Sequence, residues 1–243
     1  MAFEMLSESS RQTIRVVVTV LLLAAAGNYS DIMDQFHLAC LENRLSDARE
    51  IRTRLPDVKA DQQALADYRL ASLYMEQGRD DDAREALDRG LEQITDWLDR
   101  HPDDARGLAI QAAIKGQLAG TGMIMGMRMG PRANRSMERA MEIDPDNPAN
   151  WLLDAMGTLF KPSMFGGGTE PALQRLDRAI ELYEADAGAP VDRWGLPIAL
   201  YFRARVHLER GRPEAVRDDL DRALHLVPEY HAARQLRDNF PAP

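Results

Sequence analysis

Cysteine is almost missing from this chain: Cys40 stands alone among 243 residues. One cysteine forms no internal disulfide and builds no two-cysteine metal knuckle. Its default reading is a small apolar side chain in the core. As a lipidation site it has the wrong neighbours, because Phe36-His37-Leu38-Ala39 puts histidine where a bacterial lipobox takes an aliphatic residue. Aromatic residues are also scarce, at 6%, and β-branched residues cluster mainly at 16–20. Ala, Leu, Arg, Glu and Asp dominate instead. Most of these are good helix formers, with Asp favouring caps and turns, so composition points to an all-α fold. Lysine supplies only 3 of the 30 basic side chains, which reads as genomic composition bias. Net positive charge is lacking altogether: the formal charge is −9. Nucleic-acid binders carry a basic footprint, so DNA and RNA are not expected partners. Hydrophobic residues at 45% and charged residues at 28% argue against disorder.

No apolar run reaches the length of a membrane span. Residues 16–26 read VVVTVLLLAAA. Eleven helical residues rise about 16 Å, against a hydrocarbon core of ~30 Å. That length fits the apolar region of a signal peptide, with Arg11 and Arg15 before it and Ala24-Ala25-Ala26 as a cleavage site. Residues 1–26 are therefore read as an export signal and 27–243 as the mature domain, which places the protein in the periplasm. Glu4 and Glu8 offset the two arginines. That leaves two alternatives: an uncleaved segment anchored in the inner membrane, or a buried first helix of a cytoplasmic protein. Any membrane contact is expected through this segment alone.

What the chain does have is internal repetition. Asp88-Arg89-Gly90-Leu91, Glu138-Arg139-Ala140-Met141, Asp177-Arg178-Ala179-Ile180 and Asp221-Arg222-Ala223-Leu224 share one pattern, with their small residues spaced by 50, 39 and 44. Periods of this size mark stacked supersecondary units. Each copy sits in a helix–turn–helix. The first runs 65–77, Gly78, then 81–100; the last runs 196–210, Gly211, then 213–226, opened by Pro213 and closed by Pro228. A further pair, 31–42 and 46–55 with Ala39 and Ala48 as small contacts, precedes them and stops at Pro56. A helix over 229–238 is expected to cap the stack.

At these residues the chain resembles the tetratricopeptide repeat (TPR). The first unit matches at Ala71, Tyr74, Gly78, Ala83, Leu87 and Gly90; the third at Trp151, Ala155, Gly167, Ala172, Leu176 and Ala179; the last at Ala204, Gly211, Leu220, Ala223 and Pro228. The resemblance implies an all-α, right-handed superhelical solenoid of about four to five helix hairpins with a C-terminal capping helix, and no cofactor. There are departures. Thr158 and His207 occupy an aromatic position and Val216 replaces Ala. Ala112 and Ala133 lie 21 apart, and Ala155 and Ala172 lie 17 apart, where the family has 12. The segments 144–148 (DPDNP), Pro162-x-x-Phe165-Gly166-Gly167 and Arg193-Trp194-Gly195 resemble a poorly characterised group of exported bacterial TPR-like proteins over about 60–235. That likeness implies fold and export and brings no activity. A looser likeness of architecture points to the TPR-like periplasmic subunits of TRAP-type solute uptake.

In the family the first helices of each pair line a concave groove. Mapped by position, the groove residues are Tyr68, Ser72, Glu76, Leu152, Met156, Tyr201, Arg205 and Glu209. The function this implies is a scaffold holding a protein or peptide partner. The alternative is a small-molecule-binding accessory subunit of a solute transporter, which a closed pocket lined by Trp151, Phe165 and Trp194 would mark. The most distinctive loop holds Phe165, Gly166, Gly167 and Gly168. A P-loop needs Lys-Ser/Thr next, whereas Thr169-Glu170-Pro171 follows. Two readings stay open: a specialised turn with Phe165 plugging the core, or a ligand or partner loop. Met123, Met125, Met127 and Met129 are expected to pack as adaptable apolar side chains. Gly122, Gly126 and Gly130 form either a close-packing stripe or a hinge. Arg128, Arg132, Arg135 and Arg139 share one helix face, either solvated or able to meet acidic lipid headgroups or an acidic protein. The five histidines lack metal-ligand spacing, and no nucleophile or acid–base pair emerges, so neither a metal nor an enzyme is expected.

Overall fold

The computed structural model describes residues 32–55, 60–185 and 194–240. The export-signal reading, Pro56 and Arg193 lie outside these segments. Among the described residues there are eleven α-helices and no strand. They are α1 (Ile32–Leu41), α2 (Leu45–Thr53), α3 (Ala60–Glu76), α4 (Asp80–Leu98), α5 (Ala105–Ala119), α6 (Met123–Ile143), α7 (Pro148–Phe160), α8 (Thr169–Ala185), α9 (Gly195–Glu209), α10 (Pro213–Leu226) and α11 (His231–Asn239), with a 3-10 turn at Ser163–Phe165. Consecutive helices pair into five hairpins, each packed on the next, and α11 closes the array against α10.

Three hairpins share one turn. Asn43, Gly78 and Gly211 adopt positive φ (56°, 69° and 65°). The following N–H groups of Arg44, Arg79 and Arg212 bond back to Ala39, Tyr74 and His207 carbonyls at 2.8, 2.9 and 2.9 Å. This six-to-one closure satisfies the orphan carbonyls of a helix end and reverses the chain in two residues. The two units whose small residues are spaced irregularly have different turns. Between α5 and α6 the chain passes through Gly120-Thr121-Gly122. Between α7 and α8 it makes the 3-10 turn and returns through Gly168, whose N–H bonds Thr158 O at 3.0 Å. Helices that follow the return loops are started by Asp104 and Asn147, whose side chains accept from Gly107 N and Ala149 N.

Alanines make the seams. Ala39, Ala48, Ala64, Ala71, Ala83, Ala140, Ala155, Ala172, Ala179, Ala204 and Ala223 are all fully buried. Small side chains let antiparallel helices approach closely, and Leu, Ile and Val from neighbouring pairs fill the spaces left. The core divides into two clusters, one over the first three hairpins and one over the last two. Leu38 and Leu41 of α1 belong to the second, although they open the chain's described part.

The repeated arginine has a structural task. Arg139 reaches Asp103 at 2.8 Å, Arg178 reaches Asp146 at 2.9 Å, and Arg222 reaches Glu184, each tying a second helix to the preceding unit. These pairs are exposed, so solvent screening leaves each of them little net stabilisation. The exception is Arg89, which meets Asp67 at 2.6 Å; Asp67 is fully buried and also takes Arg52 at 2.7 Å. One carboxylate thus joins α2, α3 and α4. Removing it strands two guanidinium groups, so Asp67→Ala is expected to cost about 3 kcal/mol in denaturant unfolding. Arg139→Ala, measured the same way, should leave the unfolding midpoint almost unchanged.

Candidate ligand cavity

The first helices of the five hairpins and α11 surround a central cavity of about 170 Å³. One wall comes from α1. Six of its ten residues, Met33, Phe36, His37, Leu38, Ala39 and Leu41, are buried, so the helix is covered on all sides. Trp194 Nε1, at the start of α9, donates to Asp34 Oδ1 at 2.5 Å, linking the first hairpin to the fifth. The His37 and Trp194 rings lie 6.5 Å apart.

Six of the eight groove positions face this one cavity: Tyr68, Ser72, Glu76, Leu152, Met156 and Tyr201. Tyr68 and Leu152 are buried in its wall. The Ser72 hydroxyl bonds Tyr68 O and receives Gln117 Nε2 at 2.9 Å. Arg205 stands beyond the cavity, its guanidinium 5.6 Å from the Phe160 and Phe202 ring centres and 6.0 Å from that of Tyr201. Glu209 is exposed at the end of α9 and does not line it. Of the three aromatic residues expected in a closed pocket, Trp194 alone lines it. Trp151 is turned aside, its Nε1 donating to Pro145 O at 2.6 Å.

Phe165 does not plug the core; it is 64% exposed. The cause is local. The loop folds on its own backbone, with Phe165 N bonded to Pro162 O at 2.9 Å and Gly167 pressed so closely on Lys161 that a Cβ there would lie 1.9 Å from its carbonyl oxygen. Gly166 and Gly168 hold φ of 82° and 115°. Turn geometry alone therefore requires all three glycines.

The methionine expectation also holds only in part. Met129 is buried and Met125 half-buried, but Met123 and Met127 are 83% and 69% exposed. With 21 residues against 13, α6 outruns α7 by about 12 Å. Lys161 Nζ, bonded to Asn134 Oδ1 at 3.0 Å, fixes the end of α7 beside the middle of α6. The first turns of α6 then have no helix of the next hairpin beside them. Of the three glycines there, Gly126 alone makes a close approach, to Ala119 O, within one unbroken helix. Arg128, Arg132, Arg135 and Arg139 are all exposed.

Residues that position-mapping missed set the cavity's chemistry. Arg69 Nη1 lies 2.6 Å from His37 Nδ1. Arginine can only donate, so Nδ1 accepts and the ring is neutral. Burial, then Arg69 and Arg106, hold His37 well below its ordinary pKa. Burial pushes the Cys40 thiol up to about 12 and the Tyr68 phenol up to about 12, and raises Tyr230. Asn150, fully buried, donates from Nδ2 to Asp144 O at 3.3 Å while its Oδ1 has no partner. The cavity is thus mainly apolar and aromatic, with two guanidinium groups at its wall and the unpartnered Asn150 Oδ1 buried behind it. Among the described residues no cluster of three or more His, Cys, Asp or Glu is placed to hold a metal, and no helix is long and apolar enough to cross a membrane.

No protein-family description matches the sequence, and no curated protein does. The backbone is similar to TTC0263, a thermophilic TPR protein of Thermus thermophilus. The TM-score is 0.54 at 18% identity, over 80% of this chain and 89% of that one. The chain has the tetratricopeptide fold. The C-terminal part of a TPR repeat-containing protein from Cytophaga hutchinsonii aligns over 84% of this chain and 98% of that one, with 13% identity and a TM-score of 0.36. In tetratricopeptide terms the described residues hold five hairpins and the capping helix expected after Pro228.

The His37 site gives a sign for acid sensitivity. Its folded pKa lies below the unfolded value near 6.5, so below that pH the unfolded chain binds a proton that the folded chain refuses. Stability should fall as pH drops below about 6.5, by at most about 1.4 kcal/mol per pH unit for one proton. His207, also lowered by burial, adds in the same direction. Urea unfolding at pH 7 and pH 5.5 should show a smaller loss for His37→Gln than for the wild type.

Proposed function

We propose that this chain is a non-catalytic binding module whose ring of first helices encloses a compact, mostly apolar group with a polar end. The observation that carries this is the half-open cavity that α1 walls on one side, bridged to the start of α9 by Trp194 and Asp34. An extended peptide along the whole inner face would have to displace α1. A cavity near ~150 Å³ suits a benzene-sized group, and the space here is about 170 Å³. Such a group gains the apolar contact of Ile198, Met156 and Tyr201, and with an anionic end meets Arg69 or Arg106. The nearest pair to a catalytic couple, Cys40 and His37, is disarmed: the thiol stays protonated and Arg69 occupies the imidazole nitrogen. Two sources supply this chemistry. One is a free solute, as for an accessory subunit of a transporter. The other is an anchor side chain carried by a protein partner, as for a scaffold. A periplasmic setting belongs to the same proposal and is supported by the apolar run at 16–26 with its Ala24-Ala25-Ala26 site.

Native mass spectrometry of the protein purified from its own cells should show a bound small molecule, and titration of that compound should change tryptophan emission through Trp194. Met156→Trp, which fills the chamber, should weaken binding by about tenfold or more while leaving the unfolding midpoint near that of the wild type. A photocrosslinker at Tyr201 that instead captures a protein identifies the second source. An unchanged dissociation constant for Met156→Trp, with no adduct of either kind, rejects the cavity as a binding site.

A further inference from the structure

One edge of the solenoid carries the turns that join first to second helices, and most of the exposed large apolar side chains gather there, Leu226 at the opposite edge excepted. Met123, Ile124 and Met127 stand at the tip of the third hairpin, and Met164 and Phe165 at the tip of the fourth. Within these two hairpin segments the charges are of one sign, while Asp80 and Asp81 at the second tip and Glu170 just after the fourth are exposed acids on the same edge. Residues 105–137 and 155–169 contain no Asp or Glu, in a chain of net charge −9. Arg128, Arg132 and Arg135 are exposed behind the first tip, and Lys161 begins the second turn. The N-terminus of α6 has no capping side chain, so its free N–H groups and positive dipole end add to the potential there.

From this we infer a second binding surface: this edge docks on an anionic bilayer, with the methionine, isoleucine and phenylalanine tips in the acyl boundary and the arginines at the phosphates. The order of residues along α6 favours a bilayer over a protein partner. Apolar side chains occupy 123–127, and the arginines follow at 128, 132 and 135. At 1.5 Å per residue Arg128 lies about 8 Å and Arg132 about 14 Å behind Met123. An interfacial segment buries its apolar part about 5–10 Å into the headgroup boundary, which leaves these cations at or above the phosphates. The tips are two small clusters, three side chains at one turn and two at the next, an arrangement suited to a yielding apolar medium. Sequence offered residues 1–26 as a membrane contact and left the arginine face of α6 open between solvent, acidic lipid and acidic protein; this surface lies in the folded domain and does not need residues 1–26.

The test uses the full chain and vesicles of phosphatidylcholine with or without phosphatidylglycerol. All altered side chains are exposed, so circular dichroism should stay unchanged. The wild type should co-sediment with the anionic vesicles and be released by high salt. Met123→Ser/Ile124→Ser/Met127→Ser and Arg128→Glu/Arg132→Glu should each weaken binding about tenfold or more. Ile124→Trp should be quenched by brominated acyl chains, a readout that anchoring by residues 1–26 does not produce. Equal binding by the wild type and both edge variants, or an unquenched Ile124→Trp, overturns the inference. So does failure of the wild type to bind, or an edge variant that loses a crosslinked protein while vesicle binding is unchanged.

Discussion

Helix α1 has no face to give to water, and its burial between the two ends of the array is the contact on which the rest depends. Met33, Phe36 and Ala39 pack with the first three hairpins, while Leu38 and Leu41 pack with the last two. An open tetratricopeptide array needs only nearest-neighbour contacts. Here one helix touches both terminal regions, so the interior becomes a chamber. The Trp194–Asp34 hydrogen bond matters less for its own energy than for where it lies: it joins the first hairpin to the fifth across the inner face.

Most of the architecture was legible from short-range signals. The small residues of the four repeated segments, Gly90, Ala140, Ala179 and Ala223, all sit in buried seams. Gly78 and Gly211 make the turns expected of them. The irregular intervals between Ala112 and Ala133 and between Ala155 and Ala172 fall on the two hairpins whose turns depart from the six-to-one closure. Asn43 was the quieter signal, a non-glycine residue doing the same job in the first hairpin. The site was legible by half. Positional mapping found the inward faces of α3, α7 and α9 because helical periodicity fixes which way a residue points. It had no means of finding α1 across the chamber, since that contact joins residues 160 apart and depends on total curvature. Exposure of Phe165 and Met127 was hidden for a similar reason. Hydrophobicity predicts burial only where a neighbouring element is long enough to provide it, and α7 is shorter than α6.

Charge is divided by location. On the outside, Arg139, Arg178 and Arg222 repeat one exposed ion pair per unit, individually weak and tolerant of loss. Inside, ionised groups appear where several partners converge, as at Asp67 with its two arginines and at Asp219 with Arg203. The repeat motif is therefore an uneven guide to stability. Asp67 and Asp219 sit outside it and carry no periodic signal, although the motif's Arg89 meets Asp67 and its Asp177 meets Arg203 at 2.8 Å.

The chamber wall breaks that rule at one atom. Asn150 is fully buried and Oδ1 is unpartnered, in a position where every ordinary accounting predicts a donor. An unmet buried acceptor costs about 1–3 kcal/mol, and an apolar residue in its place would remove that cost. Its Nδ2 does close the Asp144 carbonyl, but at 3.3 Å this bond is a modest return. With no accessible surface, Oδ1 meets an occupant only if the wall around it moves. Arg69 is placed differently: it holds His37 neutral with one nitrogen, and its side chain lines the cavity. Its charge among Leu152, Ile198 and Met156 gives the cavity a polar end and an apolar end, the asymmetry on which the proposed binding role rests.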